Sequence, residues 1–258
     1  MSLELIKKIR QITGAGMVDV KKALDEADGN EEKAIEILRK AGSKIAAKKA
    51  DREASEGVLA IVKKDNKVAV VGLNCETDFV ARNEDFISSV NVFAEKLLEL
   101  GKENFAAWAE DEIKNNLIVK IGENLRLAPD FEILSGEIIG DYLHSNNKVA
   151  GVVVLKGGSV DLAKDIAMHI AAMAPKYLKP EDVPEDVLAK EKEIYAEQLK
   201  AEGKPEAMLE QILQGKLQKF YTEVCLLKQM FIKDDKKNIE QLLTENNAEL
   251  ESFVYRSL

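Results

Sequence analysis

The sequence has few of the residues on which several classes of protein depend. Among 258 residues there are two cysteines and two histidines. Cys75 and Cys225 cannot form a disulfide framework or a metal site with four cysteine ligands, so we expect both thiols to be reduced and buried. His144 and His169 lie in no motif that joins a nucleophile, a base and an orienting group. This scarcity disfavours a hydrolase.

Long apolar runs and an excess of positive charge are also absent. No run approaches the roughly 20 apolar residues that a membrane-spanning helix needs. The N-terminal residues lack the basic and then apolar pattern of a secretion signal, so we expect a cytoplasmic protein that does not enter a membrane. The net charge of -9 argues against nucleic acid as the main partner, because lysine and arginine supply most affinity for phosphates.

The sequence contains none of the common nucleotide-binding motifs. There is no Gly-x-x-x-x-Gly-Lys-Ser/Thr loop, no Gly-x-Gly-x-x-Gly after a strand, and no spacing typical of metal ligands. We therefore expect no cofactor and no metal, and a function that depends on binding rather than on covalent chemistry.

Three short amphipathic segments open the chain and predict a compact three-helix bundle. The segments are 3–12, 18–27 and 31–40. Their apolar residues recur at helical spacing, and glycine-containing turns separate them. Gly42 is a stop signal for the third helix, so the bundle is predicted to occupy residues 1–42. It resembles the ubiquitin-associated fold, in which the first loop is a binding surface.

Residues 43–55 follow the bundle and predict a basic linker. The segment contains several lysines and an arginine but little apolar periodicity. We expect a linker that is partly helical, and the simpler interpretation of its charge is a solvated spacer.

The central part of the chain contains an internal repeat of strand, turn, strand and helix. The predicted elements are 56–62, 67–71 and 84–100 in the first copy, and 137–143, 148–155 and 160–174 in the second. Because two strands are marginally stable alone, each copy should recruit a third, from 131–134 and 253–256. We predict an α+β fold with two pseudo-symmetric subdomains that have antiparallel sheets, residues 56–136 and residues 137–182 with 227–258.

Residues 183–226 have a long, charged helical pattern and predict an inserted antiparallel helical hairpin. Gly203-Lys204-Pro205 separates its two helices. The apolar residues at spacings of three and four are typical of the seam of a small coiled coil. A projecting hairpin is also a candidate surface for a partner or for homodimerisation.

Residues 74–83 connect the second strand of the first copy to its helix and place an acid beside an aromatic ring. Asn83 is the predicted cap of the helix. On residue chemistry alone, Phe79 would fold back onto the core while Thr77 or Asp78 caps backbone N–H groups. The alternative is that Asp78 and Phe79 project and act on another protein.

Three motifs together resemble the elongation factor Ts family. They are 13–24 (TGAGMVDVKKAL), 77–80 (TDFV) and 166–172 (IAMHIAA). Members of the family are guanine-nucleotide exchange factors that bind elongation factor Tu and speed the release of its GDP. The resemblance implies that Thr77, Asp78, Phe79 and Val80 contact the partner. In that family Phe79 would enter an apolar pocket near the magnesium site while Asp78 disturbs the charges around it.

The resemblance also implies contacts outside this corner. Lys21 matches a lysine of the family's Gly-Met-x-Asp-x-Lys-Lys motif, although a solvated helix lysine is an equal reading. In the second copy the family has a basic residue, an aliphatic residue and then a glycine. Here Lys148-Val149 is followed by Ala150 and then Gly151, and either of these two residues could take the place of the family's glycine.

The third motif and the segment after the hairpin supply the remaining candidates. His169 lies on an apolar helix face, where it is either a packed core residue or a partner contact. Gln229-Met230-Phe231-Ile232 resembles a Gln-Pro-Phe segment of the family with Met230 in place of proline, so Phe231 and Ile232 are further candidates.

Two other functions compete with nucleotide exchange. An adaptor would use the bundle and the hairpin as docking surfaces without changing the affinity of any nucleotide. An enzyme would need proton-transfer groups, and the two histidines and the missing motifs argue against it.

Overall fold

The chain has the α+β fold that its sequence predicts. The computed structural model describes residues 2–201 and 206–258, and within them helices combine with antiparallel sheets. The helices are α1 (Leu3–Thr13), α2 (Met17–Glu26), α3 (Glu31–Lys49), α4 (Asp78–Ala81), α5 (Glu84–Glu112), α6 (Ile118–Ile121), α7 (Val160–Met173), α8 (Glu185–Ala201), α9 (Glu206–Val224) and α10 (Ile239–Glu245). The strands are β1 (Glu56–Lys64), β2 (Lys67–Cys75), β3 (Arg126–Leu127), β4 (Glu132–Ser135), β5 (Ile138–Leu143), β6 (Val149–Lys156), β7 (Met230–Phe231), β8 (Asp234–Asn238) and β9 (Glu249–Ser257).

The contacts divide the chain into two units. The first consists of Met1–Ile133, Ser145–Lys148 and Leu258, and the second of Leu134–His144 and Val149–Ser257. Each unit has its own apolar core.

The first unit is built on the hairpin of β1 and β2, which pair antiparallel from Glu56 opposite Cys75 to Lys64 opposite Lys67. β3 also pairs with β2, and β4, which begins in this unit, includes most of the strand predicted at 131–134. The helix α5 packs on this sheet and buries Phe86 and Phe93 completely or almost so. A non-helical glycine, Gly101, breaks α5 where its predicted end lies.

The three N-terminal helices enclose an apolar core of their own. It contains Ile9, Val20, Leu24, Ala34 and Leu38. The prediction that Gly42 ends the third helix is wrong, because α3 continues to Lys49.

Close packing, rather than a turn, accounts for the glycine at position 42. A Cβ atom there would overlap the side chain of Val119 and lie 3.0 Å from the Lys114 carbonyl oxygen. The absence of a side chain therefore lets α3 approach the segment that includes α6.

The second unit contains the sheet β5-β6-β9, in which both pairs are antiparallel. β9 includes the strand predicted at 253–256. The helix α7 packs on β5 and β6, and Gly151 of β6 lies directly beneath it. A Cβ atom on Gly151 would overlap the Ala167 carbonyl oxygen and lie 3.0 Å from the Ala171 nitrogen. The unit also contains β7, β8 and α10, which no pattern in the sequence predicted.

The helices α8 and α9 pack against each other. Leu199, Leu217 and Phe220 are buried, and the Lys216 ammonium lies 5.5 Å from the centre of the Tyr195 ring. The break predicted at Gly203-Lys204-Pro205 lies outside the described residues. Dimerisation through these helices stays a prediction.

Candidate partner-binding site

The segment between β2 and α5 forms a sharp corner that contains the short helix α4. Thr77 is the N-cap of α4, and its hydroxyl accepts a hydrogen bond from the Val80 N–H at 3.4 Å. Asn83 is the N-cap of α5, because its side-chain oxygen accepts from the N–H groups of Asp85 and Phe86 at 2.9 and 3.2 Å. Both ends of the corner are thus fixed by local capping, as the sequence indicates.

Phe79 projects from this corner into solvent. Its exposed fraction is 82%, the highest among the large exposed apolar side chains of the described residues. The expectation that Phe79 folds back onto the core is therefore wrong, whereas capping by Thr77 is confirmed. Val80 and Ala81 pack against the core instead. One side of the turn is therefore buried, and the Phe79 ring projects from the other.

Asp78 lies next to the ring with its carboxylate partly exposed. It pairs with Arg82 one turn later at 3.2 Å, with side-chain exposures of 45% for Asp78 and 81% for Arg82. Ion pairs with this much solvent access stabilise a protein by about 1 kcal/mol at most. The carboxylate is therefore available to another charged group at little cost.

The corner is tied to a distant loop by Glu123. Its carboxylate accepts hydrogen bonds from the N–H groups of Glu76 and Thr77 at 2.9 and 3.1 Å, and from the Thr77 hydroxyl at 2.6 Å. No pattern in the sequence indicates Glu123 as a functional residue. It lies 46 positions from Thr77 in the sequence and belongs to no motif. The contact is therefore visible only in the folded structure.

A second set of contacts fastens the same two segments. The Glu76 carboxylate accepts from the Asn124 N–H at 2.6 Å and from Arg52 at 3.2 Å. The Asn124 N–H, and to a smaller extent Arg52, lower the pKa of Glu76 despite its desolvation. Lys49 donates to the Gly122 carbonyl oxygen. Arg52 therefore binds the corner and Lys49 binds the loop that contains Glu123, so the solvated-spacer interpretation of the basic segment does not hold for them.

Cys75 ends β2 immediately before the corner and is fully buried. Its thiol donates to the Thr77 carbonyl oxygen at 3.3 Å. Burial, together with the nearby Glu123 and Glu56 carboxylates, raises the pKa of this thiol to about 11. The expectation of a buried, unpaired thiol is confirmed for Cys75 and also for Cys225.

The other candidates lie on different elements. Lys21 is exposed on α2. Ala150 and Gly151 are buried in β6, and Gly151 is the position at which a side chain does not fit.

His169 is buried in the second unit, where both ring nitrogens have partners. Nε2 lies 3.1 Å from the Gln229 side-chain oxygen, and Nδ1 accepts from the Ile232 N–H at 3.3 Å. This pattern assigns the proton to Nε2. Phe231 is buried beside the ring, while 43% of Ile232 is exposed. His169 thus holds the backbone of Ile232.

Burial lowers the pKa of His169. The hydrogen bond to Gln229 raises this pKa, but by less than burial lowers it. We expect stability to fall as pH drops below about 6.5, because the unfolded histidine takes up a proton that the folded one resists. The loss should continue down to the lowered pKa of the folded state. Urea unfolding of the wild type and His169→Gln at about pH 7.5 and 5.5 measures this dependence.

The His169→Gln variant should have a smaller difference between the two pH values. His144→Gln is the matched control, because His144 is exposed. If the difference in stability between the two pH values were the same in His169→Gln as in the wild type, His169 would not be the source of the pH dependence.

In residues 2–201 and 206–258, no group of three or more histidine, cysteine, aspartate or glutamate side chains is placed to hold a metal ion. Among the helices described, none combines the length and apolar character needed to cross a membrane.

Comparisons with known proteins agree with the motifs. The model of the family "Elongation factor TS" matches residues 76–258. The chain is 46% identical over 258 residues to elongation factor Ts of Psychromonas ingrahamii, with 96% of this chain and 87% of that protein covered. It is 43% identical over 266 residues to elongation factor Ts of Hydrogenobaculum sp., with coverages of 98% and 97%. It is also 42% identical over 260 residues to elongation factor Ts of Deinococcus radiodurans, with the same two coverages.

These matches define the class of protein as a translation elongation factor. The chain belongs to the elongation factor Ts family. The family relationship makes it a nucleotide exchange factor for elongation factor Tu, not a catalyst of covalent chemistry.

Proposed function

We propose that the chain accelerates GDP release by placing Phe79 and Asp78 against the magnesium and phosphate site of elongation factor Tu. The observation that carries this proposal is the 82% exposure of Phe79 on a corner whose backbone is fixed. An exposed ring on a rigid turn can enter an apolar pocket with little loss of conformational entropy. Asp78 would lie beside the ring in the complex, because both residues belong to the first turn of α4.

A carboxylate has a specific effect beside a bound magnesium ion. Mg²⁺ prefers oxygen ligands in nearly ideal octahedral geometry, so an additional carboxylate competes electrostatically with the groups that hold it. The exchange factor needs contacts that form in the open state of the nucleotide site and not in the closed state. By reciprocity GDP and the exchange factor weaken each other's binding, by about 1.4 kcal/mol for each factor of ten.

The remaining candidates would add contacts that hold the complex together. We propose that the exposed Lys21 contributes from the N-terminal helices and that Ile232 contributes from the second unit. His169 and Phe231 are buried, so their part would be to hold the backbone that presents Ile232. Ala150 and Gly151 would act through the packing of β6.

Stopped-flow release of a fluorescent GDP from elongation factor Tu tests the proposal. The rate should rise with the concentration of the chain and then saturate, because release occurs from a ternary complex. An unchanged release rate despite binding in the same mixture would refute exchange and support the adaptor.

A further inference from the structure

We infer that Glu123 is a positioning residue for nucleotide exchange, because it orients the turn that presents Asp78 and Phe79. The inference rests on the function proposed above. Glu123 belongs to the loop between α6 and β3, and it acts through Thr77 rather than by contact with the reacting groups of the partner.

The two oxygens of Glu123 fix different parts of the corner. Oε2 accepts from the N–H groups of Glu76 and Thr77, and Oε1 accepts from the Thr77 hydroxyl. Hydrogen bonds to an ionised carboxylate are shorter and stronger than those between neutral groups. Together they set the orientation of the peptide plane between Glu76 and Thr77 and the rotamer of the Thr77 side chain.

The hydroxyl of Thr77 transmits this orientation to the exposed turn. A hydroxyl has one proton, and Thr77 donates it to Glu123 at 2.6 Å. Its lone pairs are then directed to other donors, one of which is the Val80 N–H at 3.4 Å. Asp78 and Phe79 lie between these two points of attachment.

Phe79 has little packing of its own to hold it in place. With 82% of the side chain exposed, its direction depends on the backbone from Thr77 to Val80. Loss of Glu123 should therefore widen the range of directions that the ring samples.

The contacts around Glu123 allow its positioning role to be separated from the stability of the fold. Glu76 bonds to Asn124 and Arg52, and the Asn124 side chain donates to the Arg52 carbonyl oxygen at 2.7 Å. These bonds do not involve the Glu123 carboxylate. They should keep the loop and the corner together when that carboxylate is removed.

The test is a double-mutant cycle measured by stopped-flow GDP release at saturating exchange factor. Glu123→Ala should lower the maximum rate by about tenfold in the wild-type background. In an Asp78→Ala, Phe79→Ala background the same change should lower it by less than about twofold, because neither of the two side chains is left to position. Thermal unfolding of each variant reports any loss of the fold.

Two substitutions at Thr77 test the same inference independently, through the hydroxyl that bonds to Glu123. Thr77→Val is close in shape and retains the backbone N–H bond to Glu123, but it loses the hydroxyl. Thr77→Ser retains the hydroxyl. We expect Thr77→Val to slow release and Thr77→Ser to restore most of the rate, and this arm decides the question if Glu123→Ala does not fold.

Glu132→Ala is the control, because Glu132 pairs with Lys102 at 2.8 Å in the same unit and does not contact the corner. Its release rate should equal that of the wild type. Equal slowing by Glu123→Ala in both backgrounds, or no slowing in either, would overturn the inference. If Asp78→Ala with Phe79→Ala leaves release unchanged, the proposed function fails instead.

Discussion

Replacement of Phe79 by alanine is expected to slow GDP release from elongation factor Tu by about 30- to 150-fold. Full burial of a phenylalanine side chain contributes about 2 to 3 kcal/mol, and that range of free energy gives this range of rates. The ring is 82% exposed in the free chain, so nearly all of this burial would occur in the complex. Stopped-flow measurements at saturating exchange factor give the rate directly.

The same substitution should leave the fold unchanged, because removal of an exposed ring opens no cavity. Asp78→Ala loses one exposed ion pair, so the double variant should also retain the wild-type melting temperature. Val92→Ala is the control, since Val92 is an exposed apolar residue of the same unit, with an exposed fraction of 47%. A folded Asp78→Ala, Phe79→Ala variant with full exchange activity would exclude the proposed mechanism.

Gly151→Ala is expected to cost about 3 kcal/mol of the free energy of unfolding, at the upper end of what overpacking a core usually costs. The added methyl group would overlap the Ala167 carbonyl oxygen and approach the Ala171 nitrogen. Both are backbone atoms of α7, so no side chain can rotate away. The helix must move from the sheet, and urea unfolding at constant pH measures the loss.

Gly215 provides the matched control for this prediction. It lies in α9, and a Cβ atom there would have no heavy atom within 4 Å. Because alanine is favoured over glycine in a helix by about 1 kcal/mol, Gly215→Ala should match or exceed the wild-type stability. Equal unfolding midpoints for Gly151→Ala and the wild type would show that α7 is not held against β6 as described.

The features that the sequence predicted correctly depend on local patterns. The strands of the repeat follow from apolar runs and turns, and the start of α5 follows from Asn83 and the two acids after it. The confirmed cap at Thr77 is local as well. The motif that contains Phe79 could be found in the sequence, but its direction could not, because the same residues are compatible with a ring turned inward.

The features that the sequence did not predict depend on contacts between distant segments. Gly42 has the chemistry of a helix stop, yet it lies within α3, where Val119 occupies the space that a side chain at position 42 would need. Arg52 belongs to a charged segment, yet it binds Glu76 across 24 positions. Glu123 has no local signal at all. Each of these residues acquires its role only when the first unit folds.

The two buried cysteines make the chain convenient for site-specific labelling. Burial is the main cause that raises the pKa of both Cys75 and Cys225 to about 11, so neither thiol ionises appreciably near neutral pH and maleimides should react with them slowly. A cysteine introduced at the exposed position 230 could be labelled with a fluorophore while Cys75 and Cys225 are left in place. Binding of elongation factor Tu to the second unit could then be followed in an otherwise unaltered protein.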